Sequence, residues 1–176
     1  LVDYTPNIIH LTEIMQHDKV KKKIDKSTYY SKYQSLIAYA NAFRKAAKSK
    51  SAMAGLAIGD IKRIRKNYQS NEQAPALGCA YIVRQFKRPE EIDLRRKVYG
   101  RKFVQISVYA NEKERRNNLI EKIASFDASP KNDPDCEMEA ISLIDVDYNQ
   151  IDDDNGQRLS DVFHLGDVFV EGVDKD

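Results

Sequence analysis

A chain of 176 residues with 41% apolar and 32% charged side chains is long enough for one domain with a single core, or for one domain with an appendage. No apolar run approaches the roughly 20 residues that would span a bilayer, and no basic segment leads into an apolar one at the amino terminus, so neither a membrane partner nor a secretory signal is expected. The net charge of +2 conceals an asymmetry: residues 127–176 carry 15 acidic and 3 basic side chains, and residues 1–126 carry 12 acidic and 26 basic. Such a split implies either internal pairing between an acidic tail and a basic body or two surfaces with different partners.

In chain order, Asn7 after Pro6 reads as a helix cap, with Ile8, Leu11 and Met15 at i, i+3 and i+7 of a helix over residues 7–24. Lys19, Lys21, Lys22 and Lys23 then form a dense positive patch. It serves either as a phosphate or nucleic-acid contact or as a solvated helix end. Residues 28–48 predict a helix, with Tyr33, Leu36, Ile37, Ala40, Phe43 and Ala47 at helical spacing. A second helix follows over 51–66, capped by Ser51, with Met53, Leu56, Ala57, Ile61 and Ile64 inward. Residues 67–75 read as a loop.

The organising stretch runs from Leu77 to Leu119. Two apolar runs, Cys79–Val83 and Phe103–Tyr109, read as buried strands. A helix between them opens at Pro89-Glu90-Glu91 and closes at Tyr99-Gly100. Strand, helix, strand predicts a crossover within one parallel sheet covered on both faces. Asn111 then caps a charged helix over 112–124 whose apolar side is Leu119, Ile120 and Ile123. Residues 127–136, with Cys136, read as a surface loop, 137–145 as a short helix, 147–156 as an acidic loop, 157–163 as another short helix and 167–170 as a closing strand. The whole divides into a helical region (about 7–66), a βαβ core (about 77–124) and an acidic region with short helices and a last strand (about 127–176) of one domain, 1–176. The sheet looks incomplete, and its first strand is expected upstream of Leu1. No start methionine is present, so the chain is expected to be part of a longer protein.

No GxxxxGK[ST], GxGxxG or GxSxG occurs. His10, His17 and His164 lie on separate segments, and Asp152-Asp153-Asp154-Asn155-Gly156 lacks the ligand spacing of a calcium loop, so no metal ligand set is read. Cys79 and Cys136 are far apart and form no CxxC, which points to the reduced cytoplasm.

The set Tyr33-x-x-Leu36, Ala40-Asn41-x-x-Arg44, Leu56-Ala57-Ile58-x-x-Ile61-x-x-x-Arg65, Tyr81-Ile82-Val83, Phe86-Lys87-x-Pro89-x-Glu91, Val98-Tyr99-Gly100, Leu143-Ile144-x-x-Asp147 and Gly156-Gln157 through Val170 resembles the P-loop kinase-like amino-terminal domain of anti-phage deoxycytidylate (dCTP) deaminases. The resemblance spans nearly the whole chain. It implies an α/β P-loop NTPase fold, nucleotide kinase-like, with a parallel sheet flanked by helices and with the first strand and P-loop missing from this chain. It implies a regulatory, nucleotide-binding role beside a downstream zinc-dependent deaminase domain, in which a zinc-bound water attacks C4 of cytosine. Neither the P-loop nor the HxE and PCxxC zinc signature is present, so catalysis is not expected of these residues alone.

The same topology resembles nucleotide and dephospho-coenzyme A kinases. On that likeness Arg84, Lys87, Arg88, Arg115, Arg116 and Arg158 become candidates for nucleotide phosphates, since arginine grips phosphate oxygens bidentately. Arg84-Gln85 stand where that class often carries an acidic magnesium partner, which favours sensing over ATP hydrolysis. The implied cofactors are zinc in the downstream domain and ATP or another nucleotide. Implied partners are a nucleotide, a regulatory RNA or protein, the deaminase domain and a second copy of the chain. Two other readings stay open: a kinase fragment, and an RNA- or protein-binding module on a degenerate kinase fold.

Overall fold

β-Branched side chains are stiff at χ1 and favour a pleated backbone, and Ile8-Ile9 sets the first element accordingly. The computed structural model describes residues 4–15, 20–69, 71, 74, 76–130, 133–148, 150 and 153–172. In it Thr5–His10 is a strand, β1, and only Leu11–Ile14 is helical, α1. Ile9 turns inward at 2% exposure while Ile8 faces out at 56%, a period of two that overturns the helix expected over 7–24. Leu11 and Met15 are buried as that spacing required, but through one helical turn. Asn7 caps nothing; its side chain donates to the Thr5 carbonyl and accepts from the Tyr68 hydroxyl. Residues 20–26 have no regular structure, and Lys19 and His17 lie outside the described residues.

The two long helices follow the sequence. In α2, Tyr29–Ala46, the Thr28 hydroxyl accepts from the Ser31 amide as a cap. In α3, Ala52–Arg65, Met53, Ala54, Ala57 and Ile61 are buried. They pack with Ile9, Leu11, Phe43, Phe86 and Ile92 into the larger core. Burying each of these isoleucine, leucine, methionine and phenylalanine side chains contributes roughly 1.5–3 kcal/mol, and the alanines less.

β2, Cys79–Arg84, pairs in parallel with β1, with Ile8 opposite Ile82 and Ile9 opposite Val83. Helix α4, Pro89–Tyr99, starts on its proline and leaves through Gly100 in the left-handed region at φ 52°. β3 is shorter than expected, Ile106–Tyr109, and pairs in parallel with β4, Val168–Glu171. The pairing is therefore parallel, but β2 and β3 belong to different two-stranded sheets, not to one crossover. Local bonds fix the second sheet: the Gln105 amide donates to the Asp167 carboxylate at 2.7 Å, and the Asp167 and Val168 amides donate to the Gln105 carbonyl. β1, a strand that the sequence pattern did not mark, precedes the helical region and pairs with β2.

The strands are not buried on both faces. Ser107 is enclosed and donates to the Phe163 carbonyl, whereas Ile106, Val108, Val168 and Val170 on the other side are 44–61% exposed.

Helix α5, Glu112–Asp127, is capped by the Asn111 side chain, which accepts from the Lys113 amide. Helix α6, Pro134–Tyr148, is longer than expected at both ends, and α7 spans Leu159–Phe163. Proline in the first turn and the Asp133 carboxylate accepting from the Asp135 amide start α6 early. Cys136 is thus a buried helical residue, not a loop residue. Burial and the nearby carboxylates of Asp133, Glu139, Asp127 and Asp135 push its thiol up. With Ile123, Ala124 and Ala140 it forms a second, smaller core. No described helix is long and apolar enough to cross a membrane.

Candidate functional site

Two polar regions lie side by side, one enclosed and one open. The enclosed one begins with Arg44 on α2, 2% exposed, and Glu91 on α4, fully buried. The Arg44 Nη2 stands 2.9 Å from Glu91 Oε1, and its Nε donates to the same oxygen at 3.0 Å. The other oxygen of Glu91 accepts from the backbone amides of Lys87 and Arg88. Burial pushes the Glu91 carboxyl up, and Arg44 with these amides opposes that. Four donors on one carboxylate are the arrangement a buried ion pair needs to offset its desolvation.

From this pair the network reaches the loop before α7. Arg44 Nη1 donates to the Asn155 carbonyl and to the Asn41 side chain. Asn41 in turn donates to Gln150 and to Asp153. Arg88, with no exposed surface, donates to the Gly156 carbonyl at 2.6 Å and to Glu90. Gly156 is required there by space: a Cβ would lie 2.8 Å from the carbonyl oxygens of both Gln150 and Asp153. The Arg158 amide donates to the Lys87 carbonyl, closing the loop onto the segment between β2 and α4. We refer to this set as the clamp.

The clamped loop carries residues of an open cleft on both its flanks. Asp147 and Tyr148 end α6 before the loop, and Leu159 begins α7 after it; all three line a cavity of about 270 Å³. Its opposite wall is one face of α5, where Arg115, Asn118, Leu119 and Lys122 fall at i, i+3, i+4 and i+7. Ile144 of α6 completes the lining. The Lys87 Nζ lies 2.6 Å from Asp147 Oδ2, so the one carboxylate among the described residues lining the cleft is neutralised from the clamp side. Arg115 stands in the first turn after β3, and Lys87 three residues after β2. Both lie on the carboxyl side of their strands, where open α/β sheets bind ligands.

The six sequence candidates do not converge. Arg115 lines the cleft and Lys87 touches it through Asp147. Arg158 precedes Leu159 as the residue before α7. Arg116 turns aside toward Glu137 at 3.7 Å. Arg84 is exposed at the end of β2, in register with His10. It is followed by Gln85 at φ 69°, a left-handed turn that sends the chain into the buried Phe86. Arg88 is sealed inside the clamp, so its candidacy for phosphate is corrected to a structural role. Lys21, Lys22 and Lys23 are exposed on the irregular segment and do not line the cleft. The acidic region does pair with the basic body in part: Lys87 with Asp147, Arg96 with Asp167, Arg116 with Glu137.

Sequence reading did not mark Asn118, Lys122 or Tyr148. The spacing of Arg115, Asn118 and Lys122 along one helical face was the available signal. It also missed Arg95, 3% exposed, whose guanidinium sits 4.8 Å from the Tyr99 ring centroid and 5.5 and 5.9 Å from those of Phe86 and Phe103. Its Nε and Nη1 meet no acceptor among the described residues, and burial pulls its pKa down. The three aromatic faces take the place of a counter-ion.

Compared with protein-family models, with curated proteins and with solved structures, the chain matches none.

Proposed function

We propose that this chain is a nucleotide-binding regulatory domain, kinase-like in fold, that acts on a zinc-dependent deoxycytidylate deaminase domain. The observation that carries the binding half is the cleft: two cations on one face of α5, an apolar wall from α6 and α7, and Asp147 paired with Lys87, with the loop between α6 and α7 held by the buried clamp. Such a pocket combines apolar surface with a few placed polar groups, the composition of small-molecule sites. The regulatory half rests on the resemblance. Its motif residues Asn41, Arg44, Glu91 and Gly156 gather in the clamp, and Ile144 and Asp147 line the cleft, which supports reading those motifs as parts of one site.

The test is titration calorimetry of the purified chain with dCMP, dCTP and ATP. Saturable binding of at least one nucleotide, lost in the Arg115→Ala/Lys122→Ala double variant, is the expected outcome. Absence of binding by all three at millimolar concentration refutes the reading. The same preparation is expected neither to deaminate dCTP nor to hydrolyse ATP, and robust turnover of either by the chain alone would replace regulation with catalysis.

A further inference from the structure

We infer that α6 of one copy of this chain docks in the groove between α2 and α3 of another, so that the chain associates head to tail. The two surfaces lie outside the cleft, and their pairing does not depend on what the cleft binds.

The receiving surface is an open groove of about 480 Å³. Phe43 and Ala47 at the end of α2, with Ala52 and Leu56 of α3, make its floor apolar. Gly55 and Gly59, one turn apart on α3, complete that floor, and a Cβ on either would meet nothing within 4 Å. Side chains this small let a second helix come close to the α3 backbone. Cations border the groove. Lys45 and Lys48 stand on either side of Ala47, and Lys62 and Lys66 continue the stripe of Gly59 at i+3 and i+7; all four are exposed. Arg63 lines the groove and lies 2.7 Å from Asp60, the one carboxylate among the described residues that line it. An apolar floor between cations fits an occupant that is apolar at its centre and acidic around it.

The chain itself carries such an element. Of the long helices α2 to α6, only α6 contains no lysine or arginine, and it holds Asp135, Glu137, Glu139, Asp145 and Asp147. Its outer face is uncovered: Met138 is 68% exposed and Ile141 41%. With Asp145 they form one stripe at i, i+3 and i+7, the spacing by which an amphipathic helix anchors in a groove. Glu137 is drawn toward Arg116 at 3.7 Å, whereas the ion pairs among the described residues leave Asp135 and Asp145 out. Groove against groove would set Lys62 and Arg63 on their own counterparts, and α6 against α6 would face carboxylates with carboxylates. Groove against α6 pairs opposite charges, so the contact joins unlike surfaces. Such a contact closes into a dimer where both halves form reciprocally and runs on as a chain where they do not.

The experiment is sedimentation velocity on the whole chain from about 1 μM to about 1 mM, the span of weak association. The sedimentation coefficient is expected to rise with concentration in dilute buffer. That rise should shrink at about 1 M salt, where the screening length falls to about 3 Å. Gly55→Leu/Gly59→Leu fills the groove, and Met138→Lys/Asp145→Lys reverses the charge of the α6 face. All four positions are exposed, so both variants are expected to keep the wild-type circular dichroism spectrum. Each variant alone should associate at least about tenfold more weakly than wild type. The deciding measurement is their equimolar mixture, which should associate again, because one variant keeps its α6 and the other keeps its groove. A wild-type chain that stays monomeric throughout, or associates more strongly as salt rises, overturns the inference. Association that survives in either variant assigns the contact to another surface, such as the exposed side of β3 and β4, and overturns it too. Two monomeric variants that do not complement each other on mixing would mean a contact of like with like, which also overturns it.

Discussion

Arg44 and Arg115 carry the same guanidinium and meet opposite surroundings. Arg44 is closed inside α2, α4 and the loop before α7, with acceptors from Glu91, Asn41 and Asn155. Arg115 lies on an open wall of the cleft, faced by α6 and α7. The first uses its charge to hold Glu91 and the Asn155 carbonyl of the loop; the second has charge to offer a ligand. Enclosed polar groups here set geometry and exposed ones set chemistry. The two are joined at Lys87, whose backbone amide and carbonyl belong to the clamp and whose side chain reaches Asp147 of the cleft.

The strongest way to break that division is to remove one partner of the enclosed pair. Glu91→Ala leaves Arg44 buried without its counter-charge and frees the Lys87 and Arg88 amides at once. Losing one member of a buried pair costs about 3–5 kcal/mol, so the urea midpoint should fall sharply. Replacing both residues by leucine should recover much of the loss, since two apolar groups leave no stranded charge. A Glu91→Ala protein as stable as wild type would show that the clamp does not hold the fold.

A subtler change tests whether the clamp sets the cleft. Gly156→Ala adds only a methyl group, but that carbon would stand 2.8 Å from two backbone carbonyl oxygens. The loop must shift, at a cost of about 1–3 kcal/mol typical of overpacking. Because Asp147 and Leu159 flank that loop, nucleotide affinity should drop together with stability. Denaturant titration and calorimetry on one preparation read both. Lost stability with unchanged affinity would separate the clamp from the cleft.

How far these regions were legible in sequence follows from how local their causes are. Pro89 and Gly100 bound α4, Asn111 caps α5 and the apolar stripes of α2 and α3 face inward, because each depends on residues within a few positions. Ile8, Leu11 and Met15 fit a helical spacing by coincidence, and only the pairing with β2, some seventy residues on, makes Thr5–His10 a strand. The assignment of β2 and β3 to different sheets is equally non-local. Arg88 and Arg115 could not be told apart by type, since burial depends on Gly156 coming up beside Arg88 from 68 positions away. Asn41, Arg44 and Glu91 stood out individually, but their meeting is a property of the fold.

The smallest effect concerns the exposed links that fix the second sheet. Asp167 accepts from the Gln105 amide at 2.7 Å and from Arg96 at 3.0 Å. The Gln105 amide above all holds its carboxyl below the ordinary value of 3.8; burial opposes this, and Arg96 adds to the lowering. A carboxylate whose folded pKa is depressed contributes stability that is complete above its unfolded pKa and lost as pH falls through the folded one. The link is therefore intact at neutral pH and fails on acidification below the usual carboxylate range. Amide exchange over Val168–Glu171 should quicken there, relative to the amides of β2, and Asp167→Asn should flatten that pH dependence. The change should be modest, because an exposed pair is screened by water and salt. Equal acid sensitivity in both sheets would mean that Asp167 is not what anchors β4 to β3.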